Sequence, residues 1–267
     1  MSFLDLEGKC FLVTGVANKK SVAYFVAKSL LQEGASIILT VQNEDNLAKA
    51  RRLFREETQI YLLDVEQDDS FTDLKERLKQ DEVTLDGMLH SIAFANFSLP
   101  PKPFHGTPVE DFLQATNISA FSLVRLADAL KELWTKEASI VTISISNTKA
   151  TSYGYLGPVK AMLDSVVCYL AKSFSSFSQV RFNAVCAGPL KTSASAGIPG
   201  YVNNYLFAEA LTMHKRALTT QEVANTATFL LSSASSGINA ANVVVDLGMS
   251  SNYFDQEVVE RFSATND

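Results

Sequence analysis

Apolar residues along the chain fall into two alternating patterns. Short runs of aliphatic and β-branched residues, such as Phe11-Leu12-Val13 and Ile140-Val141, read as buried strands. Between them apolar positions recur every three or four residues, as at Val22, Phe25, Val26, Leu30 and Leu31, the spacing of one helix face. The pattern predicts strands over 9–14, 36–41, 59–63, 86–92, 138–144, 179–186 and 242–246. It predicts helices over 21–33, 44–56, 68–80, 108–135, 158–174 and 220–232, with Gly34 ending the first. Strand and helix in regular alternation imply an α/β fold. The expected architecture is a single Rossmann-type, doubly wound domain over 1–267, with a seven-stranded parallel sheet flanked by helices. Strands that are apolar along their whole length suit a sheet covered on both faces. The stretch of about 190–218 reads as an inserted substrate loop. The polar tail 255–267 reads as frayed or as an oligomer contact.

Composition narrows the class. Apolar residues make up 47% of the 267, enough for a full core, and no segment is biased toward disorder. The net charge of −6 with no basic face argues against nucleic acid as a partner. Cys10, Cys168 and Cys186 all sit in apolar stretches and are expected to be reduced core thiols. The first residues carry no signal-peptide pattern, and no apolar run reaches the roughly 20 residues of a membrane span, so a cytoplasmic protein is expected.

In doubly wound sheets ligands lie beyond the carboxyl ends of the strands, so the residues just after each strand carry the information. After the first comes Gly15-Val16-Ala17-Asn18-Lys19-Lys20-Ser21-Val22-Ala23: strand, glycine turn, helix. Backbone N–H groups and the positive end of a helix dipole at such a turn suit a phosphate. With one glycine in place of three, the stretch also fits an ordinary strand-to-helix turn. Gln42 follows the second strand and is neutral. No Lys or Arg occurs between Lys28 and Lys49, which favours NADH over NADPH. After the third strand, Asp64-Val65 fits an acceptor for an adenine amino group or a cap for the next helix, and the two roles are compatible. After the fourth comes His90-Ser91-Ile92-Ala93-Phe94-Ala95. His90 reads as a packed structural histidine, and the small residues Ser91, Ala93 and Ala95 would let backbone approach a ribose or nicotinamide. The proline-rich Leu99–Phe104 reads as a rigid loop over the cleft. Asn117 falls inside a helical pattern, as a surface residue or as a link from Lys160 to the strands.

Tyr153 and Lys160 carry the chemistry. On one continuous helix, residues seven apart are separated by two turns and about 10 Å of rise, nearly on one face. An ammonium beside a phenol lowers its pKa and makes it a better proton donor or acceptor near neutral pH. Pro158 stands between the two, so the helix is expected to start near Pro158. Gly157 is then pushed out of the helical region, Tyr153 lies in a preceding turn, and Tyr155 is a rival for its role.

Taken together, these residues resemble the enoyl-acyl-carrier-protein reductases of the short-chain dehydrogenase/reductase superfamily, over about residues 7–250. The resemblance is carried by Val13-Thr14-Gly15-Val16-Ala17-Asn18-Lys19 with Ser21 and Ala23, by Asp64-Val65, and by His90 to Asn96. The Tyr-six-residues-Lys spacing, Asn183 to Thr192 and Val244-Val245-Asp246 extend it. It implies NAD(P)H-dependent reduction of a trans-2-enoyl thioester on acyl-carrier protein or coenzyme A, within fatty-acid elongation, by a homotetramer, with no metal. By that resemblance Tyr153 would hydrogen-bond the thioester oxygen and Lys160 would hold the cofactor ribose. Gly15, Ser21, Val22, Gln42, Asp64, Val65, Ser91, Ile92, Ala93, Leu190 and Thr192 would line the cofactor. Phe94 and Ala95 would meet substrate, under a lid at 193–210. Three residues depart from the family pattern. Ile145 replaces a second tyrosine, with Ser144 or Ser146 as partial substitutes. Pro158 interrupts the helix, and Leu247 stands where a glycine is expected. Two other readings remain open: a short-chain reductase of ketones or alcohols using Asn117, Ser144 or Ser146, Tyr153 and Lys160, and a dinucleotide-binding protein with little turnover.

Overall fold

The computed structural model describes residues 3–96, 103–192, 195 and 201–263. Seven strands follow in chain order: β1 (Cys10–Thr14), β2 (Ser36–Val41), β3 (Gln59–Leu62), β4 (Leu85–His90), β5 (Trp134–Ile145), β6 (Arg181–Ala187) and β7 (Asn242–Val245). They form one sheet in the order β3-β2-β1-β4-β5-β6-β7, with every pairing parallel. The helices are α1 (Val22–Gln32), α2 (Glu44–Arg51), α3 (Asp68–Gln80), α4 (Val109–Thr116), α5 (Ser122–Ala129), α6 (Leu156–Phe174), α7 (Tyr201–Leu211), α8 (Thr220–Leu231) and α9 (Gln256–Ser263). Successive strand residues point to opposite faces, so β1 feeds two cores. Leu12 packs with residues of α3, α5 and α6, while Phe11 and Val13 pack with residues of α1 and α8. Each such fully buried side chain contributes about 1.5–3 kcal/mol. This is the expected Rossmann-type sheet. Among the described residues no helix is long and apolar enough to cross a membrane.

Several expectations are corrected. The helix predicted over 108–135 is α4, a π-helical turn at Asn117–Phe121 and α5, and the chain enters β5 at Trp134. Hydroxyls widen that turn: Ser122 Oγ donates to Ile118 O at 2.6 Å, and Ser119 Oγ is tied to the Phe94 backbone. α6 starts at Leu156, so Tyr153 does lie outside it, in a 3₁₀ turn (Thr151–Tyr153) closed by Gly154 at φ 65°. Pro158 is tolerated because it lies in the first turn, where N–H groups have no intrahelical acceptor. Gly157 stays inside the helix. A Cβ there would stand 2.8 Å from Thr148 O, so glycine is needed for that approach.

Part of the stretch expected to be loop is α7, and part of the tail expected to fray is α9. The apolar residues of α7 do not lie on one face: Tyr205 and Ala208 are buried, but Val202, Leu206 and Phe207 are exposed. α9 is anchored by Asp255, which pairs with Lys215 and accepts from Val258 N. Most of the proline-rich loop (99–102) and part of the lid (193–194 and 196–200) lie outside the described residues. The thiols divide: Cys186 is buried, Cys10 partly so, and Cys168 lies exposed on the outer face of α6. Leu247 adopts φ 56°, the left-handed region glycine occupies without strain.

Candidate functional site

The strand order reverses between β1 and β4, because the chain runs β1-β2-β3 to one side and then crosses back to β4. Ligand crevices in such sheets open at this point. The turn after β1 and the segment after β4 meet there. Gly15 has φ 80°, and a Cβ on it would stand 1.9 Å from Ser91 O, so the two backbones approach as only a glycine allows. Thr14 Oγ1 donates to Leu89 O and accepts from Ser91 N, both at 3.1 Å, which fixes the two strand ends together. Ser21 is the N-cap of α1: its hydroxyl accepts from Tyr24 N and donates to Asn18 O. Val22 opens the helix, in the first turn whose N–H groups lack intrahelical acceptors.

The other strand-end residues surround that crevice. Gln42 is exposed between β2 and the Asn43 cap of α2. Asp64 does not cap α3, whose N-cap is Gln67; it closes a local turn by accepting from Glu66 N at 3.1 Å. Val65 is buried and its carbonyl accepts from Arg125. Ser91 and Ile92 are partly buried, and Ala93 is exposed. Phe94 is 44% exposed, with its N–H and C=O held by Ser119 Oγ. Ala95 is partly buried. His90 is fully buried, with Nδ1 bonded to Thr142 Oγ1 and Nε2 to Ser122 Oγ, both at 2.8 Å. Burial, aided by the Lys160 charge, lowers its pKa to about 3, so it is a neutral structural histidine, as read from the sequence.

Tyr155 is removed as a rival acid: it is buried, its ring lies against Phe112, and its hydroxyl donates to Asn96 O. Tyr153 is partly buried and packs against the core. The expectation that Lys160 lowers its pKa is overturned: desolvation, with a smaller contribution from Tyr201, pushes the phenol up to about 12. Lys160 is 5% exposed, donates to Ile143 O at 2.9 Å, and is lowered to about 8 by burial, against the attraction of Asp164 and Cys186. It therefore reaches the strand directly and needs no link through Asn117. Ser144 Oγ is buried without a hydrogen bond of good geometry, and Ile145 is partly buried.

Two groups were missed in the sequence. Asp164, four residues after Lys160, shares its helix face, a spacing that could have flagged it. Tyr201 had no such signal. Its hydroxyl accepts from Leu190 N at 2.8 Å and donates to Leu190 O at 2.9 Å, so one phenol from α7 holds both polar groups of a predicted cofactor residue. Thr192 is partly buried and bonded to Ser195. Beside this segment opens a cavity of about 720 Å³, between Ala17–Lys20, α2 and α7.

Comparison with known proteins decides the family. The enoyl-(acyl carrier protein) reductase family model matches residues 15–250. The chain belongs to that family. Relatives in this enoyl-acyl-carrier-protein reductase family include the Staphylococcus aureus (strain MRSA252) FabI, named for NADPH, which is 35% identical over 92% of this chain and 98% of its own. The Bacillus cereus FabI, named for NADH, is 34% identical over 91% and 97%. Among solved structures, the Aquifex aeolicus enoyl-acyl-carrier-protein reductase (NADH) superposes with a TM-score of 0.87 at 33% identity, covering 92% of this chain and 97% of that one. A Bacillus cereus reductase with NADP+ and indole naphthyridinone gives 0.86 at 34%, covering 91% and 96%.

Proposed function

We propose that this chain reduces the 2,3 double bond of a trans-2-enoyl thioester, carried on acyl-carrier protein or coenzyme A, in fatty-acid elongation. The observation that carries the reading is the close approach of Gly15 to Ser91 at the crevice where the strand order reverses, with Lys160 anchored on Ile143 O at the end of the neighbouring β5. Family membership supports it, and relatives are named for NADH and for NADPH alike. The neutral Gln42 supports NADH here.

The donor set suits a nicotinamide dinucleotide. The first turn of α1 offers N–H groups to a pyrophosphate. Leu190 presents one N–H and one C=O, the complement of a carboxamide, which Tyr201 occupies in the free chain. Asp64, Val65, Gln42, Ser91, Ile92, Ala93 and Thr192 complete the proposed lining, with Phe94 and Ala95 toward substrate. Bound there, the dinucleotide supplies a hydride. Tyr153, with its pKa near 12, keeps its proton at neutral pH and donates a hydrogen bond to the thioester oxygen where negative charge develops. Lys160 holds a ribose hydroxyl from its anchor on Ile143 O.

The test is NADH oxidation with a crotonyl thioester. Tyr153→Phe should lower kcat by about 10²–10³, the usual cost of one oxyanion donor. Full activity in that variant would remove Tyr153 from the role. A second reading, reduction of a ketone or alcohol pair by Asn117, Ser144 or Ser146, Tyr153 and Lys160, draws on the buried Ser144 hydroxyl, which makes no hydrogen bond of good geometry. Turnover of ketones without turnover of enoyl thioesters would select it. A cytoplasmic homotetramer fits the exposed apolar side chains Met162 and Tyr169 on α6 and Leu113 and Phe121 on α4 and the following turn.

A further inference from the structure

Lys160 is a charged group in an unfavourable place. It is buried, and it donates to a neutral acceptor, Ile143 O. It forms no ion pair with a carboxylate among the described residues. A buried ammonium without a counter-charge tends to shed its proton. The elements packed around it bring few ionisable groups. β4 brings His90, β6 brings Cys186, and the 3₁₀ turn before α6 brings Tyr153. All three are neutral at neutral and mildly alkaline pH: burial holds His90 at about 3 and pushes Cys186 and Tyr153 up to about 12. The π-helical turn carries none. Asp86 is engaged with Cys10 N, and Arg181 with backbone carbonyls of the segment after α8. Lys136 and Glu137 are exposed at the start of β5, as Glu110 is on α4. Asp111 acts on Tyr155, while Arg125 and Asp128 on α5 pair with Asp68 and Lys131.

That leaves Asp164, one helical turn beyond Lys160 on α6. Tertiary contacts place its carboxylate. Ser144 of β5 pairs with Cys186 of β6, so both side chains leave the sheet on the face that α6 covers. Cys186 Sγ donates to Asp164 Oδ1 at 3.9 Å, and Asn242 Nδ2 of β7 donates to Asp164 O at 3.5 Å. Ser144 follows the carbonyl that holds Lys160, and its buried hydroxyl, without a hydrogen bond of good geometry, acts on the same carboxylate. The carboxylate is thus held over the strand end where the ammonium is anchored, and it favours the charged form of Lys160.

We propose that Asp164 is a positioning residue of the reductase site: its carboxylate supplies the counter-charge that keeps Lys160 an ammonium, and so able to hold the cofactor ribose as pH rises. This rests on the enoyl reductase reading above, in which Lys160 binds that ribose, and extends it to the group behind the lysine.

Calorimetric titration of the full chain with NADH at a series of pH values tests this without any need for turnover. In the parent, affinity should fall as pH rises through about 8, where Lys160 loses its proton. In Asp164→Asn that midpoint should move down by roughly half to one pH unit. In Asp164→Glu, which keeps the charge, it should return to the parent value, and in Lys160→Met the fall should vanish. The thermal midpoint is the folding control, and Asp164→Ser replaces Asp164→Asn should the latter not fold. An unmoved midpoint in Asp164→Asn overturns the proposal. So does a loss of affinity equal at every pH, which a merely structural residue would give, or a fall that persists in Lys160→Met. Failure of NADH oxidation with every thioester would instead remove the reductase reading and leave the binding result standing.

Discussion

Gly15 is one atom away from failure. A Cβ there would overlap the Ser91 carbonyl at 1.9 Å, and its φ of 80° disfavours any other residue. Gly15→Ala should cost on the order of 3 kcal/mol or more, read by urea unfolding, because backbone rather than a flexible side chain must yield. His90 supplies a pH test. Its folded pKa of about 3 lies below the ordinary 6.5, so as pH falls the unfolded chain takes up the proton first. The stability this provides is fully present above about pH 6.5 and is lost as pH falls toward 3. Between pH 7 and 5 the loss should be about 2 kcal/mol. A flat unfolding profile over that window would show that His90 is protonated in the native core. The strand-turn-helix pattern made Gly15, Ser21 and His90 legible in the sequence. Which of Tyr153 and Tyr155 is available was not, because that depends on Asn96, 59 residues from Tyr155, taking the Tyr155 hydroxyl.

At the scale of elements, α7 is tied through Tyr201 to Leu190, the residue proposed above to meet the cofactor carboxamide. Its two bonds to Leu190 must break before a carboxamide can take the same groups. With each of the two bonds worth about 0.5–1.5 kcal/mol, Tyr201→Phe should tighten NADH binding about five- to 150-fold. ADP-ribose, which lacks the nicotinamide, should bind parent and variant alike. Weaker NADH binding in the variant would mean that the phenol belongs to the bound state instead. The strands and α1, α3, α6 and α8 were readable because each buries one face against the sheet. The division of the 108–135 helix was not, since it depends on Ser119 and Ser122 reaching the β4 end. Elsewhere the sequence already carried a warning: glycine was expected at 247, and Leu247 stands there at φ 56°.

At the scale of the molecule, the exposed apolar face of α6 argues for assembly. Tyr169 is 76% exposed and Met162 36%. Tyr169→Glu should shift the chain to a smaller species by light scattering while leaving the far-UV spectrum unchanged. An unaltered mass would remove this face of α6 as a subunit contact. Alternating strand and helix periods determined the parallel sheet, its seven strands and the ends where chemistry is expected, because burial on two faces is written in local spacing. Tertiary structure alone decided what stands beside those ends: Tyr201 on Leu190, and five cations around one cavity. Each joins segments whose separation along the chain, or whose orientation after folding, no local pattern encodes.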